Sequence, residues 1–274
     1  MLTDLCTLPS DLYRNRRLVK KMAKNDLKSR FAGSYFGTIW AFIQPIVTIL
    51  VYYFVFGIAM RGGAASGDGT PFVLYLVSGI VPWMYFQEGL ITGTNSFLEY
   101  SYLVKKVVFD ISVLPVVKLL SALVIHLFFV VFAMILFACY GYYANIYYLE
   151  ILYYMICLFL LILAIVYTTS SVIVFFRDMG QIVSILLQIG VWMTPVMWDL
   201  SFLNGYSWGS TVMRILKLNP FYYIVHGYRN AFIEQRWFWE DKLLTVYFWA
   251  FLIVCYVFST WVFNRLKGHF ADVV

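Results

Sequence analysis

The chain has few charged residues for its length. Asp, Glu, Lys and Arg make up 12% of the 274 residues, against roughly 25% in soluble domains. Hydrophobic residues make up 62%, and the mean hydropathy is +0.80. Because so few charges cannot cover the surface of a water-soluble domain of this size, the composition excludes that class and predicts a membrane protein.

Residue patterns typical of catalysis or metal binding are also scarce. The four cysteines have no paired spacing and the three histidines are scattered, so neither a disulfide framework nor a metal motif is indicated. The GxxxxGK[ST] phosphate loop is absent, and we do not expect this chain to hydrolyse ATP. We predict no catalytic, cofactor-binding or metal-binding residue on it. Few acidic or basic residues, chiefly Glu88, Lys118 and His126, lie within or at the edges of apolar runs, which is thin support for an intramembrane enzyme or an ion-coupled flippase.

Long apolar runs are the main feature that the sequence does have. We predict an all-α integral membrane protein with an N-terminal amphipathic interfacial helix and short re-entrant helices before the last span. Six runs are each close to the roughly 20 residues that a helix needs to cross the hydrocarbon: 37–60, 72–93, 113–140, 148–176, 181–198 and 243–263. With the N-terminus inside, fourteen of the 20 Lys and Arg fall on the inner side. The positive-inside rule therefore predicts that both termini are cytoplasmic.

A basic segment precedes the first apolar run. At about 100° per residue, Arg17, Lys21, Lys24 and Lys28 fall opposite an apolar arc, whereas Arg30 strays into that arc. A cationic amphipathic helix tends to lie in the membrane interface. We therefore assign the net charge of +6 to contact with membrane lipids and not with nucleic acid.

Two further segments outside the spans have helical patterns. In the stretch 96–110, Phe97, Tyr102 and Leu103 recur at helical spacing ahead of a Lys pair, which predicts a short cytoplasmic helix. In the stretch 219–233, Asn219-Pro220 marks a break. The apolar run that follows the break is too short for a full crossing and suits a re-entrant or interfacial helix.

Five stretches resemble, in order, the membrane subunit of ABC-2-type polysaccharide exporters, the permeases for O-antigen, capsule and teichoic-acid polymers. These stretches are LKSRFAGSYFGTIWAFIQPIVTILVYYFVFGIAMR (27–61), YLVSGIVPWMYFQEGLITGTNSF (75–97), LVKKVVFDISVLPVVKLLSALV (103–124), FRDMGQIVSILLQIGVWMTPVMW (176–198) and LNPFYYIVHGYRNAF (218–232). The resemblance covers nearly the whole chain. One departure is Asp110, where the family often has Pro, and it leaves the local shape of that loop open.

The resemblance implies a single ABC-2-type transmembrane domain over residues 1–274, in the bacterial cytoplasmic (inner) membrane. Such a permease exports a lipid-linked, O-antigen-like polysaccharide as a homodimer with two copies of an ATP-binding subunit, which would carry ATP and Mg. Segment 10–31 would be an interface helix beside the ATPase, 96–110 a coupling helix, and 219–233 outer-side gate helices. The implied ATPase contacts are Arg17, Lys21, Lys24, Lys28 and Arg30 on the first segment, and Phe97, Tyr102, Leu103, Lys105, Lys106 and Phe109 on the second.

Aromatic residues, 20% of the chain, supply the candidates for a polymer conduit, because aromatic faces stack on sugar rings. The candidates are the aromatic residues Trp83, Tyr85, Trp192, Trp198, Tyr222 and Tyr223, together with Glu88. In the second run, Tyr85 and Glu88 share a small and polar face, whereas Trp83 and Gln87 lie on an edge that the pattern leaves unassigned. A teichoic-acid or capsule polymer is an alternative cargo. A glycan-modifying transferase of the membrane is an alternative of another class.

Overall fold

The computed structural model describes residues 13–30, 33–60, 69–104 and 111–273. Every regular element in these ranges is helical. The α-helices are α1 Arg16–Ser29, α2 Trp40–Tyr52, α3 Phe72–Thr94, α4 Ser96–Glu99, α5 Ser101–Val104, α6 Val113–Cys139, α7 Leu149–Ile173, α8 Met179–Met193, α9 Gly209–Lys217, α10 Pro220–Arg229, α11 Lys242–Leu266 and α12 Phe270–Val273. The predicted all-α class is thus confirmed for the described residues.

Within the described residues, four helical segments are long and apolar enough to cross a membrane. They are Gly37–Ala59, Val113–Cys139, Ile146–Ile173 and Lys242–His269, and they coincide with the first, third, fourth and sixth predicted spans. Helix α8 is apolar but has only 15 residues. The predicted fifth span ran to residue 198, but the helix ends at Met193 because Thr194 is extended and Pro195 follows it. The protein is a multi-pass membrane protein.

Helix α3 is the centre of the bundle. It is covered by α6, α7, α8 and α10, and its side chains are buried along most of its 23 residues. Small residues allow this close packing: a Cβ at Gly89 would lie 3.0 Å from Ile162, and one at Gly93 would lie 2.7 Å from Val166. Because protein surrounds it, α3 accommodates polar residues that lipid would exclude.

Helix α1 packs along the start of α6. Val19 and Ala23 are buried against Val113 and Val117, as expected for the apolar arc of an amphipathic helix. Beyond Ser29 the chain turns towards the first span through Gly33 and Gly37, whose φ angles of +86° and +52° are reached readily only by glycine.

Several elements differ in detail from the sequence predictions. The first span changes from α-helix to π-helix at Tyr53–Ala59. The predicted cytoplasmic helix 96–110 is two short helices, α4 and α5, in its described part. The predicted segment 219–233 begins as expected, since the Asn219 side chain accepts a hydrogen bond from the Phe221 N–H at 3.0 Å and Pro220 fills the first turn. It then ends in a π-helical turn at Asn230–Glu234. Helix α9 was not predicted.

Candidate functional site

A cavity of about 720 Å³ lies between α2, α3, α6 and α8. Its wall combines aromatic rings with uncharged polar side chains. The aromatic residues are Tyr52, Trp83, Tyr85, Phe129 and Trp192, and the amide residues are Gln44, Gln87 and Gln188. Glu88 and His126 are the ionisable groups of the wall. The cavity therefore offers flat apolar faces and hydrogen-bonding groups with little charge.

The aromatic rings are held in place by their neighbours. Tyr85 stacks on His126 with ring centroids 4.8 Å apart, and its hydroxyl donates to the Leu119 carbonyl at 3.3 Å. Trp83 packs edge-on to Phe221 at 5.1 Å. Trp192 is about half exposed (55%), so its ring is the one of the three most available for contact with another molecule.

An ion-pair cluster lies at one end of the bundle, next to this cavity. Arg30 contacts Asp26 at 3.0 Å and also pairs with Glu88, on the cavity wall. Lys118 pairs with Asp26 and with Glu99. The cluster thus joins α1, α3, α4 and α6, which are distant in sequence.

Asp26 is the buried hub of the cluster. Burial disfavours its charge, but the hydrogen bond from Lys118 and the positive charges of Arg30 and Lys118 outweigh this, so its pKa lies below its ordinary value. The Tyr100 hydroxyl also donates to Asp26 at 3.1 Å. Burial and the neighbouring Asp26 charge raise the pKa of Tyr100, so the phenol remains a donor.

The remaining conduit candidates lie away from the cavity. Tyr223 is buried, and its hydroxyl is 3.1 Å from the hydroxyls of both Tyr153 and Thr245. Tyr222 is buried and stacks on His226 with centroids 5.7 Å apart. Trp198 donates from its indole N–H to the Trp192 carbonyl at 3.1 Å. The structure therefore brings together Trp83, Tyr85, Glu88 and Trp192, and leaves the other three in the packing beyond them.

Comparison with known proteins assigns the chain to a family. The sequence profile described as ABC-2 type transporter matches residues 17–233. The chain belongs to this family. As an ABC-2 permease it is the membrane subunit that works with an ATP-binding subunit, and it is not itself catalytic.

Relatives of this permease cover almost the same length. It is 28% identical over 229 residues to the O-antigen export system permease protein RfbA of Myxococcus xanthus, which is 84% of this chain and 85% of that protein. It is 25% identical over 262 residues to an RfbA of Klebsiella pneumoniae, which is 94% of this chain and 95% of that protein. A second K. pneumoniae RfbA is 23% identical over 261 residues.

Segment 96–110 of the permease has, in its described part, one fully buried and two less buried candidate residues. Phe97 is fully buried against Phe263 and Phe270, with ring centroids 6.0 and 5.2 Å away. Tyr102 is 58% exposed and Leu103 is half-buried. Phe97 therefore anchors the segment, and of the described candidates Tyr102 is the one exposed to a partner, while Leu103 also packs against the core. Lys105, Lys106 and Phe109 lie outside the described residues.

The basic residues of α1 divide in the same way. Arg17, Lys21, Lys24 and Lys28 are exposed on one face. Arg30 instead points inward to the cluster, which explains why it strays from the basic arc. A cation on the apolar side of such a helix needs an anion beside it. The sequence therefore indicated that Arg30 has an acidic partner, but it did not indicate that the partners are Asp26 and Glu88.

One further residue of the permease was missed by sequence reasoning. Arg229, on α10, is buried over the Tyr75 ring at 3.7 Å from its centroid and donates to the Val196 carbonyl at 2.9 Å. It thereby ties α10 to α3 and to the turn after α8. Gly79 permits the contact, because a Cβ there would lie 2.7 Å from the Val196 oxygen.

Proposed function

We propose that this permease is one half of a homodimeric exporter that moves a lipid-linked, O-antigen-like polysaccharide across the bacterial inner membrane. Two copies of a separate ATP-binding subunit would supply the energy by hydrolysing MgATP. The named relatives support this proposal, since they are O-antigen export permeases and align over most of their own length.

The cavity is the observation that carries the proposal. Aromatic faces stack on sugar rings, and side-chain amides exchange hydrogen bonds with sugar hydroxyls. Glu88, the one carboxylate of the described wall, is already paired with Arg30. A neutral or weakly charged glycan therefore meets a wall that matches its chemistry and carries little net charge.

The proposed topology has six spans with both termini in the cytoplasm. Helix α3 would be the second span, buried inside the bundle. Helix α8 would be the fifth. Its 15 residues reach about 22 Å, less than the roughly 30 Å hydrocarbon core, so the turn up to Trp198 would complete the crossing. Segment 96–110 would receive the movement of the ATPase, and α10 with its π-helical turn would form the outer gate.

A second copy of the chain would complete the conduit. Helices α2 and α8 both line the cavity, and both have exposed apolar residues, among them Leu50, Val51, Ile185 and Leu186. Apposing these faces in two copies would join the two cavities into one path between the subunits.

Export from cells tests the proposal. The permease gene would be deleted and restored, with and without its neighbouring ATP-binding subunit, and surface polysaccharide would be compared with polymer retained inside. The matched control is an ATP-binding subunit that lacks its phosphate-loop lysine. We expect surface polymer only when both intact subunits are present. Export without an ATP-binding subunit would contradict the proposal, and glycan modification by the purified chain alone would favour the transferase.

A further inference from the structure

Arg30 stands between two carboxylates in very different surroundings. The Asp26 side chain is 2% exposed, and it also receives hydrogen bonds from Lys118 and Tyr100. The Glu88 side chain is 43% exposed. It accepts from the Arg30 guanidinium and lines the cavity.

The two contacts of Arg30 therefore differ in how readily they separate. Separating Arg30 from Asp26 would weaken the compensation of a buried charge, which is strongly unfavourable. Separating it from Glu88 leaves a carboxylate that water in the cavity can solvate, while the guanidinium stays beside Asp26, so this contact contributes less to stability. When α1 moves relative to α3, the Arg30–Glu88 contact is the one that yields.

The backbone around Arg30 allows such a movement. Gly33 and Gly37 lie between α1 and α2 in left-handed conformations, and a Cβ at either would meet nothing within 4 Å. Loop residues of this kind absorb the dihedral changes of a hinge. Among the described residues, uncrowded glycines thus stand between α1 and α2, and the Arg30–Glu88 ion pair, with its partly exposed carboxylate, connects the end of α1 to α3.

We propose that the Arg30–Glu88 ion pair is a latch between α1 and the cavity wall, made in the state seen here and broken once in each transport cycle. This rests on the proposed function, in which movement of the cytoplasmic elements drives export. Arg30 and Glu88 are positioning residues. Breaking the pair releases α3 from α1 and leaves the Glu88 charge uncompensated at the cavity wall, while Asp26 and Lys118 keep α1 attached to α6.

A reversible cross-link tests whether the latch opens. Arg30→Cys and Glu88→Cys would be combined in a background that lacks the four native cysteines, and joined by a short, reducible bis-thiosulfonate in the assembled transporter. We expect the link to lower ATP turnover and polymer export at least about tenfold, with recovery after reduction. The same complex before linking is the control. A linked complex that turns over ATP and exports at the unlinked rate would overturn the latch.

Charge variants test whether the ion pair itself matters. We expect Glu88→Gln and Arg30→Gln to lower the polymer exported per ATP hydrolysed by about tenfold. An effect of this size lies within the range of interaction energies found between residues in contact. Arg30→Lys, which keeps a cation beside both Asp26 and Glu88, should retain most of the export, and Lys20→Gln, on the exposed face of α1, should have no effect. Single charge-removing variants that export like wild type, Arg30→Lys that exports no better than Arg30→Gln, or loss of the ATP-binding subunit from Glu88→Gln would each refute the proposal.

ATP turnover separates this proposal from the proposed function. If the wild-type complex hydrolyses ATP but exports no polysaccharide, the cargo assignment fails. The reversible effect of the cross-link on ATP turnover then still decides for or against the latch.

Discussion

Replacement of Gly79 by alanine should weaken the junction between α3, α10 and the turn after α8. The new Cβ would lie 2.7 Å from the Val196 carbonyl oxygen and 3.1 Å from the Arg229 guanidinium. Since carbon–oxygen contacts normally begin at about 3.3 Å, one of the two backbones must move by roughly 0.6 Å. The obstacle is backbone on the Val196 side, which cannot rotate away as a flexible side chain would.

The magnitude follows from two losses. Overpacking of a buried site costs about 1–3 kcal/mol. The shift also stretches the 2.9 Å hydrogen bond from Arg229 to Val196, and a hydrogen bond to a charged group is worth about 1.5–3 kcal/mol. Together these predict a loss of roughly 2.5–5 kcal/mol in the free energy of unfolding, allowing for partial relaxation. At about 2–4 °C per kcal/mol, the apparent melting temperature should fall by roughly 5–20 °C.

The assay is thermal unfolding of the purified permease in detergent at one fixed heating rate, since membrane proteins unfold irreversibly and the midpoint depends on the rate. Gly268→Ala is the matched control, because a Cβ at Gly268 meets nothing within 4 Å. If Gly79→Ala and Gly268→Ala melt within 2 °C of each other by this assay, the turn yields without cost and the reasoning about this junction is wrong.

Three more outcomes are expected. Trp192→Ala should lower export with little change in melting temperature, because the ring lines the cavity and is half exposed. Tyr223→Phe should instead lower the free energy of unfolding by about 1 kcal/mol per lost hydrogen bond and leave export intact. The reverse pattern would contradict the assignment of the cavity. The pKa of Asp26 is lowered in the folded state, so its ionised form adds stability at neutral pH, and this stability is lost as pH falls through that pKa. Asp26→Asn should therefore flatten the fall in melting temperature below about pH 4. An unchanged dependence of melting temperature on pH would refute this. Tyr102→Asp should reduce capture of the ATP-binding subunit in a pull-down without loss of fold. Phe97→Asp should instead unfold the end of the bundle that contains Phe97. Equal stability of the two variants would show that the difference in burial between Tyr102 and Phe97 is unimportant.

The sequence predicted the elements that are defined by continuous apolar runs. The spans at Val113–Cys139 and Ile146–Ile173 could be placed because a helix in lipid must be apolar over its whole length. Helix α9 escaped prediction because its nine residues are too few to form a stable helix alone. It is held by its contacts with α10 and with the 3₁₀ segment Leu200–Gly205, which no local pattern encodes.

The ion-pair cluster could not be assembled from the sequence for a related reason. Lys118 and Asp26 are 92 residues apart, and Arg30 and Glu88 are 58 apart. Hydrophobic periodicity orients a residue on its own helix but does not say which helix faces it. Lys118 and Glu88 were therefore recognised as unusual charges in apolar runs, while the partners that neutralise them were identified only from the fold.

Helix α3 shows why the edge of Trp83 and Gln87 resisted assignment. A helical wheel assumes one face for protein and another for lipid, which holds for a helix at the rim of a bundle. Because α3 lies at the centre, the cavity spans much of its circumference, and Trp83 and Gln87 line it together with Tyr85 and Glu88. One side of α3 thus faces the cavity and contains these polar residues, and the other side packs against protein.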